Sequence, residues 1–105
     1  MKSKNVLSNC QGCLGDDALF GLGVIGATPG ALDLLDRTGT NAAILLGNHQ
    51  HGDFGTVSSD DASANMTAVI HGARILSSYT IGEERLWIIT EADRSSTTML
   101  LPDEY

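Results

Sequence analysis

Three short stretches carry residue types suited to chemistry. "GNHQHGD" supplies His49, His51 and Asp53, "TEADRSS" supplies Glu91, Asp93 and Arg94, and "CQGC" supplies Cys10 and Cys13. Two imidazoles and a carboxylate can hold a metal ion with open coordination positions. The H-x-H spacing puts both rings on one side only in an extended segment, because on a helix residues two apart diverge. The competing reading is a pair of solvated loop histidines. His71, next to Gly72, suits the last carbonyls of a helix.

Glu91 and Asp93 could project together as paired carboxylates do in acid–base catalysis. Arg94 lies beside them and would neutralise them. The same residues also read as a turn, with Asp93 bonding nearby backbone amides and Arg94 pairing with a carboxylate. No G-x-S-x-G elbow is present, and neither cysteine has a recognisable Cys/His setting. Gly21, Gly23 and Gly26 match G-x-G-x-x-G, but the Ala-Thr-Pro that follows lacks the Lys-Ser/Thr of a phosphate loop. Cys10 and Cys13 are half of a four-ligand zinc site. Their glycine-rich, acidic surroundings do not favour a thiolate, so they read as two unpaired thiols. No catalytic set is complete, and neither a cofactor nor a resident metal is expected.

These stretches sit in a chain of 105 residues, the size of one domain. Thirteen acidic groups face six basic ones, a net charge of −7. That disfavours direct nucleic-acid binding, which depends on Lys and Arg displacing counterions from phosphates. An acidic anti-restriction protein imitating DNA is a third functional class, but its carboxylates should line one extended face, and here they are scattered. No apolar run approaches the roughly 18 residues that span a bilayer. The opening "MKSKNVLSNCQGC" turns polar before a signal-peptide core can form, so a cytoplasmic protein is expected.

Residues 1–20 lack periodicity and read as an N-terminal arm, with residues 21–105 as a single domain. "TPGALDLLDRTG" predicts a helix capped by Thr28, started by Pro29, closed by Gly39, and striped by Ala31, Leu32, Leu34 and Leu35. A second helix restarts at Thr40 around Ile44, Leu45 and Leu46, weakens at Gly47, and dissolves into a loop at Asp53 and Phe54. A third, 58–72, is capped by Ser58 or Ser59, with Ala62, Met66, Val69 and Ile70 as its core face. The last third changes to β-rich runs, "ARILSSYTI", "RLWIITEA" and "TTMLL", joined by short turns. The fold class is therefore α+β: short helices followed by a C-terminal three-stranded antiparallel meander, with residues 22–27 available as an extra N-terminal strand. A three-residue first turn, Gly82 to Glu84, sets Tyr79 opposite Trp87. One face then holds Ile75, Tyr79, Ile81, Trp87, Ile89 and Leu100, and the other Leu76, Leu86, Ile88, Met99 and Leu101. With both faces apolar, a homo-oligomer, a dimer above all, is expected to bury the Tyr79, Trp87, Ile89 face or a neighbouring edge.

The pattern "TPGAL-x-LL" (28–35), "GDFG" (52–55), "G-x-RI-x-S-x-Y" (72–79) and "W-I-ITEADRS-x-TT-x-LLP-acid-acid-Y" (87–105) resembles a family of small bacterial proteins encoded on plasmids and similar mobile DNA. Some members carry the label of restriction-system subunits. The resemblance covers roughly residues 22–105 and excludes the two cysteines. Phe54 stands where that family usually has Trp. It implies a mobile-element setting and, since a methyltransferase's cofactor loop and Asn/Asp-Pro-Pro motif are absent, an accessory role. The leading expectation is a non-enzymatic interaction protein with an unidentified protein partner, using Asp53, Phe54, Glu91, Asp93 and Arg94 as a candidate site. The alternative is a metal- or ligand-binding protein built on the His49, His51, Asp53 loop.

Overall fold

The first helix starts where Thr28 is extended and its hydroxyl accepts from the Ala31 amide at 3.2 Å. Pro29 takes the first helical position, where its missing N–H has no partner to lose. A computed structural model describes residues 18–105; Cys10 and Cys13 lie outside them. Helix α1 spans Pro29–Thr38 and ends on Gly39, at φ 66°. Helix α2 spans Ala42–Gln50, capped by Asn41, whose side chain accepts from Ala43 N–H. Helix α3 spans Ser59–His71, with Ser58 as cap and Asp60 and Asp61 at the positive end of its dipole.

The described residues also hold four strands: β1 (Val24–Ala27), β2 (Ile75–Ile81), β3 (Glu84–Thr90) and β4 (Ser96–Leu100), followed by a short 3₁₀ turn at Pro102–Glu104. They form one sheet in the order β1-β4-β3-β2. The C-terminal three strands make the expected antiparallel meander. The fourth strand is present but pairs parallel to β4, with Val24 beside Ser96. Three helices separate β1 from the meander, and that length of chain permits the crossover a parallel pair needs.

Register is where sequence and structure part. The β2–β3 turn holds only Gly82 and Glu83, with Gly82 at φ 64° and Ile81 paired to Glu84. Two-residue hairpins require such a left-handed residue, and they fix register tightly. Tyr79 therefore lies opposite Leu86, and Trp87 opposite Ser78. A one-residue slip exchanges every side chain between faces. The inner face carries Ile75, Ser77, Tyr79, Leu86, Ile88, Thr90, Thr97 and Met99; the outer carries Leu76, Ser78, Trp87, Ile89, Thr98 and Leu100.

All three helices pack on the inner face. Ala31, Leu34 and Leu35 meet Tyr79, Leu86, Ile88 and Met99, while Ala68 joins Phe20, Phe54 and Ile75 in a second cluster. Phe20, at the end of the sequence-predicted arm, is thus packed with the domain, and Leu19 N–H donates to Gln50 O. The helix faces are partly misread from sequence. Leu32, Ile44, Met66 and Ile70 are exposed, whereas Asn65 is buried. Asn65 earns that place by acting as a peptide mimic: its amide donates to Leu76 O at 2.7 Å, and its oxygen accepts from Leu76 N–H. An anchor of this kind rotates α3 away from the orientation that apolar periodicity alone selects.

The outer edge of β2 is covered by the same device and by the segment after α2. Ser78 N–H donates to Phe54 O, and Thr56 N–H donates to Ser78 O. Between them sits Gly55 at φ 77°, where a β-carbon would come within 2.0 Å of Ser78 O. Both the conformation and the close approach demand glycine. Gly39 is also left-handed, but no atom lies within 4 Å of its would-be β-carbon. Gly39→Ala is expected to cost about 1 kcal/mol, from backbone strain alone. Gly55→Ala should cost about 3 kcal/mol or more, since it also detaches the edge cover. Urea denaturation of the two variants measures the difference; equal losses would show that Gly55 is not clamped against β2.

Candidate functional site

His49, the first candidate ligand, is not in a loop. Helix α2 runs through Gly47 to Gln50 and carries the ring to full burial on the inner face of the sheet. There Nδ1 lies 2.5 Å from Ser77 Oγ, and Nε2 lies 2.8 Å from Thr90 Oγ1. Thr90 Oγ1 is 2.7 Å from Thr97 Oγ1, and Thr97 donates to Leu22 O at 2.8 Å. Proton bookkeeping settles every direction in this chain. Leu22 O can only accept, so Thr97 has used its one proton there. Thr90 must then donate to Thr97, and His49 Nε2–H must donate to Thr90. Nδ1 is left as an acceptor, filled by the Ser77 hydroxyl. The chain holds a neutral imidazole with its proton on Nε2.

The surroundings reinforce neutrality. The Phe20 ring stands edge-on to His49, with centroids 5.1 Å apart, and Phe54 stands on another side at 6.4 Å. Burial, followed by the positive charge of Arg94, pushes the imidazole down to about 4. Protonation at Nδ1 would also reverse the Ser77 hydrogen bond. This histidine is a structural pin joining α2 to β2, β3, β4 and the lead-in to β1. It has no exposed edge for a substrate or metal.

The other two members of the candidate metal loop point elsewhere. His51 is exposed, with Nδ1 2.6 Å from Gly47 O. Asp53 Oδ1 accepts from Gly55 N–H, and its backbone oxygen accepts from the Tyr79 hydroxyl at 2.5 Å. Among the described residues, no three His, Cys, Asp or Glu side chains converge as a metal site would need. Phe54 is buried in the second core cluster. Tyr79 faces the helices as well, and burial pushes its hydroxyl up to about 12. It cannot join an interface with Trp87 and Ile89, which lie on the opposite face.

The Glu91–Arg94 stretch is a turn, and its arginine does more than a turn requires. Arg94 N–H donates to Glu91 O, and Asp93 Oδ1 accepts from Ser95 N–H. The Ser95 hydroxyl first and its amide second hold the Asp93 carboxyl below its ordinary range. The sequence suggested that Arg94 pairs with a carboxylate, but among the described residues it has no such partner. From a left-handed backbone, φ 60°, its guanidinium donates to the carbonyls of Ala68, Ala73 and Glu91. It also lies over the Phe20 ring, 5.5 Å from the centroid. A cation is thereby placed on the C-terminal carbonyls of α3, where the helix dipole favours it. Asp53 and Phe54 belong to the β2 edge, and Glu91, Asp93 and Arg94 to the β3–β4 turn. These five residues do not form one pocket.

The outer face of the sheet lies opposite the three helices, and its Ile89 and Leu100 are buried. Trp87 is half-buried there, with the Tyr105 ring edge-on at 5.8 Å. Arg74 donates to the Tyr105 hydroxyl at 2.8 Å and pairs with Glu91 at 3.2 Å. Arg74, Glu91, Glu104 and Tyr105 rim a shallow, open depression of about 390 Å³, floored by Ile89, Thr98 and Leu100. The C-terminal turn is fixed at one end of this surface by Glu104. Its carboxylate accepts from the Thr28 hydroxyl, from Gly30 N–H at 3.1 Å and from Leu101 N–H at 2.9 Å. The Thr28 hydroxyl is the strongest of the influences holding that carboxyl below its ordinary range.

Arg74, Glu104 and Tyr105 were not singled out from sequence, nor were Ser77, Thr90 and Thr97. The second group left a signal: small hydroxyl residues interrupt the apolar inner face at three neighbouring strand positions, which a buried polar partner explains. Nothing comparable announced the first group, since charged residues near a terminus are ordinary. In comparisons with protein-family models, curated proteins and solved structures, nothing matches this chain.

Two measurements test this geometry. In the unfolded chain His49 takes a proton near its ordinary value of 6.5, whereas the folded chain resists until about 4. Stability should be complete above pH 6.5 and fall by about 3 kcal/mol as pH drops from there to 4. The step should be missing in His49→Gln. An unchanged step would assign the acid sensitivity to other groups. Arg94→Ala should cost about 2 kcal/mol or more by leaving carbonyls of α3 without their charged donor, while Asp93→Ala should change the melting temperature far less. Equal effects would mean that Arg94 serves only the turn.

Proposed function

We propose that this chain is a non-enzymatic accessory protein of bacterial mobile DNA that engages a protein partner through the outer face of its sheet. The observation that carries the reading is the placement of Trp87 among Ile89, Thr98 and Leu100, on the face opposite α1, α2 and α3. A half-buried tryptophan packed against Tyr105, beside a depression rimmed by Arg74, Glu91 and Glu104, has the composition of a binding hot spot, with an aromatic centre and a polar border. The residue types best suited to catalysis support the same reading by default. His49 is sealed in the core, and Glu91 is occupied by Arg74. The mobile-element setting rests on the resemblance of residues 28–35, 52–55, 72–79 and 87–105 alone.

A photo-crosslinking amino acid at position 87, expressed in a bacterial host, is expected to capture a discrete partner. The same group at exposed Asp33 on α1 should not. Equal capture at both positions, or none at 87, would argue against the outer face as the working surface. Within that surface, Trp87→Ala should reduce capture from a crosslinker at position 98 by tenfold or more while leaving the melting temperature within a few degrees.

A further inference from the structure

The two edges of the sheet are treated differently. The β2 edge is closed by Asn65 and by residues 54–56. On β1, Val24 N–H donates to Ser95 O and Thr28 N–H donates to Met99 O, so the even-numbered residues turn towards β4. Parallel pairing therefore turns the backbone groups of Ile25 and Ala27 outwards. They have no backbone partner among the described residues. Val24 is 74% exposed and Ile25 47%.

Edge strands are ordinarily guarded by lysine, proline or a bulge. Here no residue from Ala18 to Leu32 is charged, and the strand itself reads Val-Ile-Gly-Ala. A molecule of net charge −7 repels its own copy over most approaches; this stretch adds no charge of its own, and the Glu104 carboxylate beside it is engaged by the Thr28 hydroxyl and Gly30 N–H. Gly26 adds a second, independent observation. Its φ is not left-handed, and a β-carbon there would meet nothing within 4 Å. Among the described residues no close contact requires a glycine there, although it weakens the strand.

We propose that β1 pairs antiparallel with β1 of a second copy, about a two-fold axis passing through Gly26. Ile25 of each copy then faces Ala27 of the other, and both outward-turned residues exchange their backbone hydrogen bonds. Gly26 meets its own copy in the close, non-hydrogen-bonded position, where Cα atoms approach within about 4.5 Å. The missing side chain removes the contact that each strand would otherwise make with itself. Because the patch is self-complementary, the assembly closes as a dimer with one continuous sheet and leaves no β1 edge for a third copy. This inference goes beyond the outer-face reading and uses a different surface.

Sedimentation of the full chain tests it. The wild-type protein is expected to sediment as a dimer. Ile25→Pro removes one outward amide and should yield a monomer with an unchanged far-ultraviolet spectrum. Gly26→Val has room within its own chain, so it should fold normally yet weaken the dimer at least tenfold. A wild-type monomer at the highest soluble concentration would overturn the proposal. So would dimers of both edge variants as tight as the wild type. Trp87→Lys separates the two surfaces: if it alone dissociates the dimer, the outer face holds the copies together and the β1 proposal is lost.

Discussion

Every layer of this domain meets at one imidazole. His49 accepts a hydrogen bond from Ser77 and passes direction, through Thr90 and Thr97, to the carbonyl of Leu22. Each hydroxyl has a single proton, so the chain can run only one way, and it admits only one tautomer. The consequence is mechanical: a helix, three strands and the lead-in to the fourth are tied by groups that leave no spare donor. An apolar core of the same volume would hold the layers together without specifying how far each strand slides. A buried polar chain that is fully satisfied adds this positional information, and one missing member would leave a neighbour unpaired at a cost of about 1–3 kcal/mol.

Arg94 does the equivalent work one shell out. It reaches across from the β3–β4 turn to the end of α3, and its plane covers the ring that covers His49. A charged group so close to a neutral imidazole opposes its protonation. The acid side of the stability profile and the attachment of α3 are thus coupled through Phe20. The turn that looked like a reactive cluster is better understood as a clamp whose charge is spent on carbonyl oxygens.

Much of the architecture was legible because it is written in local signals. Thr28-Pro29 and Ser58 mark helix starts, Gly39 and Gly72 mark ends, and the change of period after residue 72 marks the meander. Register was not, because it depended on whether one residue, Glu84, belonged to the turn or the strand. That single assignment moved Trp87, Ile89 and Leu100 away from Tyr79. Candidate sites were less legible still. His49 and His51 look alike in sequence, yet one sits where α2 meets the sheet and the other beyond the helix end. Met66 and Ile70 look like core, but the bonds from Asn65 to Leu76 set the rotation of α3. Long-range polar contacts leave little periodic trace.

The parallel pairing of β1 with β4 also imposes an order in time. Ribosomal synthesis delivers Val24–Ala27 about seventy residues before its neighbour Ser96–Leu100. At 5–20 residues per second, an apolar strand must wait several seconds without its partner. The glycines at 21, 23 and 26 dilute the β-propensity of this segment while it waits. Glu104 arrives later still to finish the cap of α1, a helix near the beginning of the chain. The sheet is therefore completed from its last-made end, and the earliest segments stay provisional until the final residues emerge.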